Sequence, residues 1–266
     1  MHATVLKLGG ELLEDRPAMT AAAHGVMRLV ATGPVVVVHG GGRSIDAELR
    51  ARGETPRFVD GLRVTDAAAL DAVVSVLAGK NNTAFVASIN ACGGRAVGLT
   101  GADAMIGLSS RTAAFESVKG EKVDLGLVGQ PQPSDLALLH DLLRGGYIPV
   151  VASIGMTPDG DLLNVNADTL AGHLAAGLAA DRLIIAGGTA GVLDEGGQTI
   201  PLLSEEDIAR MTACGAAHSG MIAKLAACTR ALEAGVGRVS IVAGRSVSDY
   251  AAATGTVIAA ARSMTR

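Results

Sequence analysis

The sequence has little of what proteins use to hold nucleic acids. Tryptophan is absent from its 266 residues, and aromatic residues make up only 2% of the chain. The chain therefore cannot bind nucleic acid mainly by stacking bases on aromatic side chains. The formal net charge is -4 at pH 7, so the chain also lacks a general positive field for a phosphate backbone. These features argue against nucleic acid as a partner.

Cysteines and long apolar runs are also scarce. The three cysteines, Cys92, Cys214 and Cys228, are odd in number and widely spaced, which predicts buried free thiols. The first residues interrupt their apolar stretch with Lys7 and two glycines, unlike a secretory signal. No run of about 18 uninterrupted apolar residues offers a membrane span. We therefore expect a cytoplasmic protein with no membrane partner.

Apolar residues and glycine are abundant, at 49% of the chain and 35 residues respectively. Such apolar content supports a large core. Thr4-Val5-Leu6 and Val35-Val36-Val37-Val38 are each followed by a glycine turn and a helical pattern, which is typical of parallel strands joined by crossover helices. The predicted fold class is α/β with a mostly parallel sheet. No linker is visible, so we expect one domain of two lobes, residues 1–178 and 179–266.

Local patterns in the first half predict a hairpin followed by helices. The hairpin is expected over residues 58–65. Asp66 should help to cap an alanine-rich helix that runs to about Leu77. A second helix is expected near residues 81–91, separated from the first by Ala78-Gly79-Lys80.

Later patterns predict further strands, at residues 147–152, 182–185 and 238–243 among others, and two capped helices. Residues 122–128 are expected to form a single strand. Ser134 should cap a helix that reaches Leu143. Ser204 should cap another helix, with Asp207 as its capping-box partner.

Four short motifs point to a phosphoryl-transfer site. Two are glycine turns after predicted strands, one is an acidic run at a helix start, and one pairs a glycine with a second lysine: Lys7-Leu8-Gly9-Gly10, His39-Gly40-Gly41-Gly42, Asn164-Val165-Asn166-Ala167-Asp168 and Ser219-Gly220-Met221-Ile222-Ala223-Lys224. A glycine turn that opens a helix presents backbone N–H groups and the positive end of the helix dipole to an anion. Each motif is weak alone, and the ordered set is much more specific.

The charged residues of these motifs suit transfer of a γ-phosphoryl group. Such a transfer needs donor and acceptor held in line and the moving charge neutralised. Lys7 and Lys224 would supply positive charge, and Asp168 between them would hold both ammonium groups without acting as a base. A Mg²⁺ ion that bridges the nucleotide phosphates is expected, although the sequence indicates no protein ligand for it.

Each of these residues also has a simpler explanation. Taken alone, Lys224 would be a solvated helix lysine, and Asp168 a carboxylate favoured by the helix dipole. The glycine turns would be ordinary strand-to-helix connections. They match neither G-x-x-x-x-G-K-[ST] nor G-x-G-x-x-G, so the sequence supports neither a P-loop nor a dinucleotide fingerprint.

With further motifs included, the chain resembles the N-acetyl-L-glutamate kinase family of the amino-acid kinase superfamily over essentially its whole length. The additional matches are Asp60-Gly61-Leu62-Arg63-Val64-Thr65, Asp124-Leu125-Gly126-Leu127-Val128-Gly129 and Gly146-Tyr147-Ile148-Pro149-Val150. The resemblance implies a three-layer αβα sandwich, the amino-acid kinase fold. It also implies ATP-dependent phosphorylation of the γ-carboxylate of N-acetyl-L-glutamate in arginine biosynthesis.

The resemblance implies roles for residues that match the family's motifs. The catalytic group would comprise two lysines that stabilise the transition state, their organising carboxylate and two backbone donors: Lys7, Lys224, Asp168, Gly10 and Gly42. The acceptor pocket would comprise Gly41, Gly42, Arg63 and Asn164, with the guanidinium clamping the substrate's α-carboxylate. The nucleotide site would comprise Gly188, Thr189, Ala190, Gly191, Val192, Leu193 and His218.

The chain departs from the family's pattern at three places. The nucleotide loop is Gly188-Thr189-Ala190-Gly191-Val192-Leu193 where the family has an Asp-Val-x-Gly-Val-Leu type loop, so one carboxylate is lost. An Asn-Lys pair is replaced by Asn82-Thr83, with a lysine displaced to Lys80. Only six residues precede Lys7, so the helix that links arginine-inhibited hexamers is not expected. We predict a homodimer that is insensitive to arginine.

Other functions stay open at this point. A kinase for N-succinylglutamate, an aminoadipate derivative or aspartate would use the same lysine pair, and Arg63 with Asn164 favours an N-acylated glutamate. A non-catalytic regulatory homologue is motivated by the altered nucleotide loop, whereas the retained lysines and Asp168 argue against it. A nicotinamide-dependent dehydrogenase lacks its fingerprint spacing.

Overall fold

Strands and helices alternate along the chain in the computed structural model, which describes residues 2–117, 120–213, 219–245 and 249–259. The strands are β1 (Thr4–Leu8), β2 (Val35–His39), β3 (Phe58–Val59), β4 (Leu62–Arg63), β5 (Ala96–Thr100), β6 (Ser109–Arg111), β7 (Phe115–Glu116), β8 (Lys122–Val123), β9 (Val128–Pro131), β10 (Ile148–Ala152), β11 (Ile154–Met156), β12 (Leu162–Val165), β13 (Arg182–Gly187), β14 (Leu202–Ser204), β15 (Arg238–Ala243) and β16 (Gly255–Ala259). The helices are α1 (Arg16–Val30), α2 (Gly42–Ala51), α3 (Ala67–Val74), α4 (Thr83–Ala91), α5 (Ala137–Arg144), α6 (Ala167–Gly177), α7 (Glu205–Ala213) and α8 (Ser219–Glu233).

A sheet of eight strands runs through the centre of the molecule in the order β14-β16-β15-β13-β1-β2-β10-β5. All neighbouring strands are parallel except β15 and β16. Strands β1 and β2 are adjacent near the middle and buried along their whole length. Their carboxyl ends therefore carry the two predicted glycine turns to neighbouring positions at one edge of the sheet.

Alternate residues of the central strands face two layers of helices. Val36 and Val38 belong to a core cluster with residues of α5, α6 and α8. Val35 and Val37 belong to a second cluster with residues of α1 and α4. A strand buried on both faces requires this continuous β-branched run rather than an alternating pattern. The predicted αβα sandwich with a mostly parallel sheet is confirmed.

The central sheet is continuous across the proposed lobe boundary. The strands that precede residue 178 form one half of it, and those that follow form the other, with β1 and β13 paired in register at the junction. Helix α6 ends at Gly177, immediately before the boundary. The division into two lobes at residue 178 stays a prediction.

A second sheet of four strands, β11-β12-β9-β6, and two short hairpins complete the strand inventory of the described residues. The β3–β4 hairpin pairs Phe58 with Arg63, which confirms the hairpin expected at residues 58–65. The capping box at α7 is also confirmed, because Asp207 N donates to Ser204 Oγ at 3.1 Å while Ser204 N donates to Asp207 Oδ2 at 2.9 Å.

The expected break before residue 81 is wrong. A π-helix, Ser75–Asn82, continues α3 directly into α4. Gly79 keeps a helical backbone there and is not among the glycines with positive φ. Its low helix propensity costs about 1 kcal/mol, which does not end a helix that neighbouring residues pack into the core.

The single strand expected over residues 122–128 is also wrong. The chain forms β8, turns, and then forms β9, because Asp124 Oδ1 accepts a hydrogen bond from Gly126 N at 2.8 Å and Gly126 has a φ of 78°. A φ in this range favours glycine.

Ser134 does not cap α5. Its Oγ instead donates to Ile106 O at 3.0 Å, and the residue at the N-cap position is Leu136. Asp135 Oδ1 accepts from Ala137 N at 2.8 Å and satisfies one of the free donors at this helix start.

No helix within the described ranges is both long enough and apolar enough to cross a lipid bilayer.

Candidate active site

The end of β1 brings Lys7 to the helix layer that contains α6 and α8. Because side chains alternate along a strand, Lys7 shares a face with Val5, which packs in the cluster with α6 and α8 residues. The side chain of Lys7 is 10% exposed. A buried ammonium of this kind requires an anionic partner.

The glycine turns after β1 and β2 touch one another. A Cβ atom built on Gly10 would lie 2.6 Å from Gly41 Cα, so a larger residue at this position would separate the turns. Gly41 is the N-cap of α2, and a Cβ atom built on Gly42 would meet no atom within 4 Å. Free backbone donors at the start of α2 therefore lie beside open space.

His39, the last residue of β2, holds the second glycine turn in place through hydrogen bonds. It is buried, and its Nδ1–H donates to Gly40 O while Asn82 Nδ2 donates to its Nε2, both at 3.1 Å. This arrangement fits a neutral imidazole. Burial lowers the pKa of His39 to about 4, and the hydrogen bond to Gly40 opposes the shift only in part.

Asp168 lies in the first turn of α6, which Asn166 caps by accepting from the backbone N of Asp168 at 2.9 Å and of Thr169 at 3.0 Å. Lys7 Nζ lies 2.9 Å from Asp168 Oδ1, and Lys224 Nζ lies 3.2 Å from Asp168 Oδ2. The two lysines, 217 residues apart in sequence, thus share one buried carboxylate. Lys224 reaches it from α8 but does not line the cleft that Lys7 and Asp168 line.

The charges of this triad shift the pKa values of two of its members. Burial alone would raise the pKa of Asp168, but the attraction of Lys7 and Lys224 holds it below its usual range. Burial, and secondly the positive charge of Lys7, lower the pKa of Lys224. Both effects follow from placing like and opposite charges close together away from water.

Arg63 of β4 lies at the other end of the same cleft. Its Nη2 donates to Asp46 Oδ1 at 2.6 Å and to Gly42 O at 3.2 Å, and its guanidinium lies over the ring of Phe58. Its Nη1 is buried and makes no hydrogen bond to the described residues. Asn164 also lines the cleft, where its Nδ2 donates to Thr65 Oγ1 at 3.0 Å.

These groups surround a cleft of about 280 Å³. Its lining includes both glycine turns and the predicted acceptor residues, together with Lys7, Glu11 and Asp168. Gly41, Gly42, Arg63 and Asn164 are therefore brought together with Lys7, Gly10 and Asp168.

The predicted nucleotide residues lie beyond this cleft. Gly188, Thr189 and Ala190 are exposed after β13, and Val192 is buried with its backbone N donating to Thr256 Oγ1 at 2.8 Å. None of residues 188–193 lines the cleft. His218 lies outside the described residues.

Three residues of the site were not singled out from sequence. Asp46, one turn into α2, pairs with Arg63, and Asn82 holds His39. Glu11, directly after Gly10, lines the cleft. Glu11 could have been found from sequence, because it directly follows a glycine turn. Asp46 and Asn82 could not, because their partners are distant in sequence.

Cysteines and other metal-ligating side chains form no cluster here. Within the described ranges no group of three or more His, Cys, Asp or Glu residues could hold a metal ion. Cys92 and Cys228 are free thiols, as expected, but Cys92 is only partly buried. Burial raises the pKa of Cys228 to about 12, so it is not a reactive thiolate. Cys214 lies outside the described residues.

A three-layer α/β fold with two touching glycine turns and a lysine–carboxylate–lysine triad defines a phosphoryl-transfer class of enzyme. The family model described as "Amino acid kinase family" matches residues 3–243. The chain belongs to the amino acid kinase family.

Known proteins resemble the chain over nearly its full length. It is 43% identical to an acetylglutamate kinase of Afipia carboxidovorans over 91% of this chain and 84% of that one. It is 41% identical to an acetylglutamate kinase of Bradyrhizobium diazoefficiens, over 91% and 83%. Among solved structures, smu.665 from Streptococcus mutans superposes with a TM-score of 0.80 and 25% identity, covering 96% of this chain and 98% of that one.

Proposed function

We propose that the chain transfers the γ-phosphoryl group of ATP to the γ-carboxylate of N-acetyl-L-glutamate. The product would be N-acetyl-L-glutamyl 5-phosphate, an intermediate of arginine biosynthesis. The observation that carries the proposal is the buried triad of Lys7, Asp168 and Lys224 beside two touching glycine turns. The relatives named acetylglutamate kinase support the choice of acceptor.

The chemistry needs positioning and charge rather than a base. A carboxylate oxygen of the acceptor would attack the γ-phosphorus, forming one P–O bond while the bond to the β–γ bridging oxygen breaks and ADP leaves. An ionised acceptor has no proton to remove. Lys7 and Lys224 would neutralise charge on the transferred oxygens, and Asp168 would keep both ammonium groups in place. Backbone N–H groups of Gly10 and Gly42 would add donors.

We assign the acceptor to the end of the cleft near Arg63. The unpartnered Nη1 of this guanidinium is a donor that a substrate α-carboxylate would satisfy. Asp46 holds the guanidinium through its other terminal nitrogen, Nη2. Asn164, Gly41 and Gly42 would complete the pocket for the N-acetyl group and the backbone of the acceptor.

We assign the nucleotide to the loop Gly188–Leu193, with His218 as a further contact. Mg²⁺ would accompany it and neutralise phosphate charge. The donor set fits such an ion, because Mg²⁺ is usually bound by one or two carboxylates, substrate phosphates and waters rather than by a cage of protein ligands. In the described part of the cleft the carboxylates are Glu11 and Asp168.

We further propose a cytoplasmic homodimer. A biosynthetic kinase acts where ATP and its amino-acid substrate are found, and the free cysteines are compatible with a reducing compartment. The central sheet has β5 as an edge strand, and proteins commonly cover such edges.

A panel of acceptors tests the proposed function. Purified protein is assayed for ADP formation with MgATP and, separately, N-acetyl-L-glutamate, N-succinyl-L-glutamate, N-acetyl-L-aminoadipate and aspartate. We expect the highest kcat/KM with N-acetyl-L-glutamate. A higher value with another acceptor would assign the enzyme to that acid, and no turnover with any of them would favour a non-catalytic homologue, the alternative raised by the altered nucleotide loop.

A further inference from the structure

Glu11 places a carboxylate at the junction between the phosphate-binding turns and the nucleotide loop. It belongs to a short 3-10 helix, Gly10–Leu12, directly after the first glycine turn. A Cβ atom built on Gly9 would lie 2.4 Å from Glu11 Oε1, so the carboxylate folds back over that turn. Cβ atoms built on Gly187 and Gly188 would lie 3.4 and 3.5 Å from the same oxygen.

The carboxylate of Glu11 has no cation of its own in the described structure. No ion pair or hydrogen bond joins its side chain to any described residue. The guanidinium of Arg245 donates to the backbone O of Glu11 and approaches the carboxylate of Glu14 at 3.8 Å. An uncompensated carboxylate next to a phosphate site repels the ligand unless a cation lies between them.

The nucleotide loop itself offers no carboxylate at this position. Residues 188–193 contain no acidic side chain. The next acid, Asp194, is used within its own turn, where its Oδ1 accepts from Gly196 N at 2.9 Å and from Gln198 N at 2.8 Å. Asp168 is shared by two lysines. Among the described carboxylates of Asp168, Asp194 and Glu11, only the carboxylate of Glu11 has no partner.

The charge balance of the cleft gives a reason for a cation. The charged side chains that line the cleft are two cations, Lys7 and Arg63, and two carboxylates, Glu11 and Asp168. Lys224 and Asp46, which contact Asp168 and Arg63 from outside the lining, add one charge of each sign. The bare site therefore offers little net positive charge to a nucleotide that carries several negative charges. A nucleotide with its own divalent cation would meet attraction from Glu11 where the free nucleotide meets repulsion.

We propose that Glu11 is the protein carboxylate that engages the divalent cation of the bound nucleotide, directly or through a water of its shell. The inference rests on the proposed function, since it takes the ligand to be a nucleotide phosphate. The segment that follows β1 would then recognise the metal as well as the phosphate. The carboxylate of Glu11 would take the place of the one that the nucleotide loop lacks, since it lies beside Gly188.

Calorimetric titration with ADP, with and without Mg²⁺, tests this assignment without any turnover. In the unaltered protein Mg²⁺ should tighten ADP binding. In Glu11→Gln the ratio of the two dissociation constants should fall on the order of tenfold, the scale of losing an outer-shell partner of a metal. The fall should come from weaker MgADP binding together with equal or tighter binding of free ADP.

A matched control removes a carboxylate elsewhere. Glu233→Gln takes one from the exposed end of α8, nine residues after Lys224, and should leave the ratio unchanged. Circular dichroism and thermal melts of both variants show whether the fold is intact. Electron paramagnetic resonance of Mn²⁺ bound with ADP gives a second readout, in which Glu11→Gln should need a higher Mn²⁺ concentration than the unaltered protein to show protein-bound Mn²⁺.

The outcomes separate this inference from the proposed function. If Glu11→Gln leaves the Mg²⁺ effect on ADP binding unchanged, or weakens free ADP and MgADP equally, Glu11 does not serve the cation, whatever the acceptor panel shows. If the unaltered protein binds neither form of ADP, the proposed kinase function and this inference fall together.

Discussion

At the scale of single residues, one carboxylate shared by two ammonium groups is the centre of the site. Removing either lysine leaves Asp168 paired with the other, so the fold should survive the change. Removing Asp168 would leave two buried ammonium groups facing each other, and breaking a buried pair in this way typically costs 3–5 kcal/mol. We therefore expect a lysine substitution to lower activity with little loss of stability, and an Asp168 substitution to lower both.

Lys7→Ala should abolish most activity without unfolding the protein. Loss of a preorganised charge at the transferred phosphoryl group should lower kcat by about a hundredfold or more. Steady-state kinetics with MgATP and acetylglutamate measure this, with Lys122→Ala, an exposed lysine of β8, as the control that should keep full activity. An unchanged kcat in Lys7→Ala would show that the triad is not catalytic.

His39 should make the fold sensitive to mild acid. Its pKa is about 4 in the folded protein against 6.5 for the free group, so the unfolded chain binds the proton first as the pH falls. Stability is therefore full above pH 6.5 and declines between pH 6.5 and 4, by about 2 kcal/mol at pH 5. The lowered pKa of Asp168 acts only below the usual Asp range, outside this window.

Urea unfolding at pH 7.5 and pH 5 checks the His39 prediction. In His39→Asn the free energy of unfolding should differ much less between the two pH values than in the unaltered protein. In His24→Asn, which changes an exposed histidine, the difference should be unchanged. His173, whose pKa burial also lowers, retains its own contribution in both variants. The prediction is wrong if His39→Asn and the unaltered protein lose equal stability at pH 5.

The grouping of single residues was predictable where short motifs mark them. Lys7, Asp168 and Lys224 stand beside glycines or at a helix start, and the structure joins them. Asp46 could not be foreseen, because its importance comes from the packing of Arg63 against the start of α2. Catalytic roles for all of these residues stay predictions until variants are assayed.

At the scale of elements, the π-helix Ser75–Asn82 links the core to the active site. Both Asn81 and Asn82 are buried within it. Asn82 reaches His39, and Asn81 abuts Gly41, since a Cβ atom built there would lie 2.6 Å from Asn81 Nδ2. Insertion of such a wide turn in a helix is frequent at functional sites. Its sequence pattern is ambiguous, which explains why a break was expected instead.

Asn82→Leu should destabilise the protein through the strand it supports. Asn82 Nδ2 donates to Val150 O at 2.8 Å as well as to His39 Nε2. An apolar replacement leaves His39 Nε2 buried without its donor and removes the additional bond to Val150 O, which we expect to cost about 2 kcal/mol. Urea unfolding measures this, and Thr83→Ala, an exposed neighbour on α4, is the control.

A double-mutant cycle resolves the contribution of the His39 contact. Asn82→Leu combined with His39→Asn should cost less than the sum of the single changes, because the two residues share one hydrogen bond. Strict additivity would mean that the Asn82 effect comes from Val150 alone.

At the scale of the whole molecule, one sheet spans both proposed lobes. Its centre was predictable, because β1 and β2 are short apolar runs followed by glycine turns, a pattern that fixes both strand type and the edge at which ligands bind. The antiparallel place of β16 beside β15 was not predictable, since it depends on pairing between distant segments. The triad takes Asp168 from α6, in the first proposed lobe, and Lys224 from α8, in the second.

The edge of this sheet leads to the prediction of a dimer. Strand β5 has a single sheet neighbour, β10, and an edge strand left uncovered is a template for unwanted pairing. A two-fold symmetric contact between two copies would cover that side in both at once. Light scattering at micromolar concentrations should therefore give twice the mass of one chain. The mass of a single chain, or a hexameric mass, would contradict the dimer, while leaving the active-site assignment to be judged by the kinetics of the lysine variants.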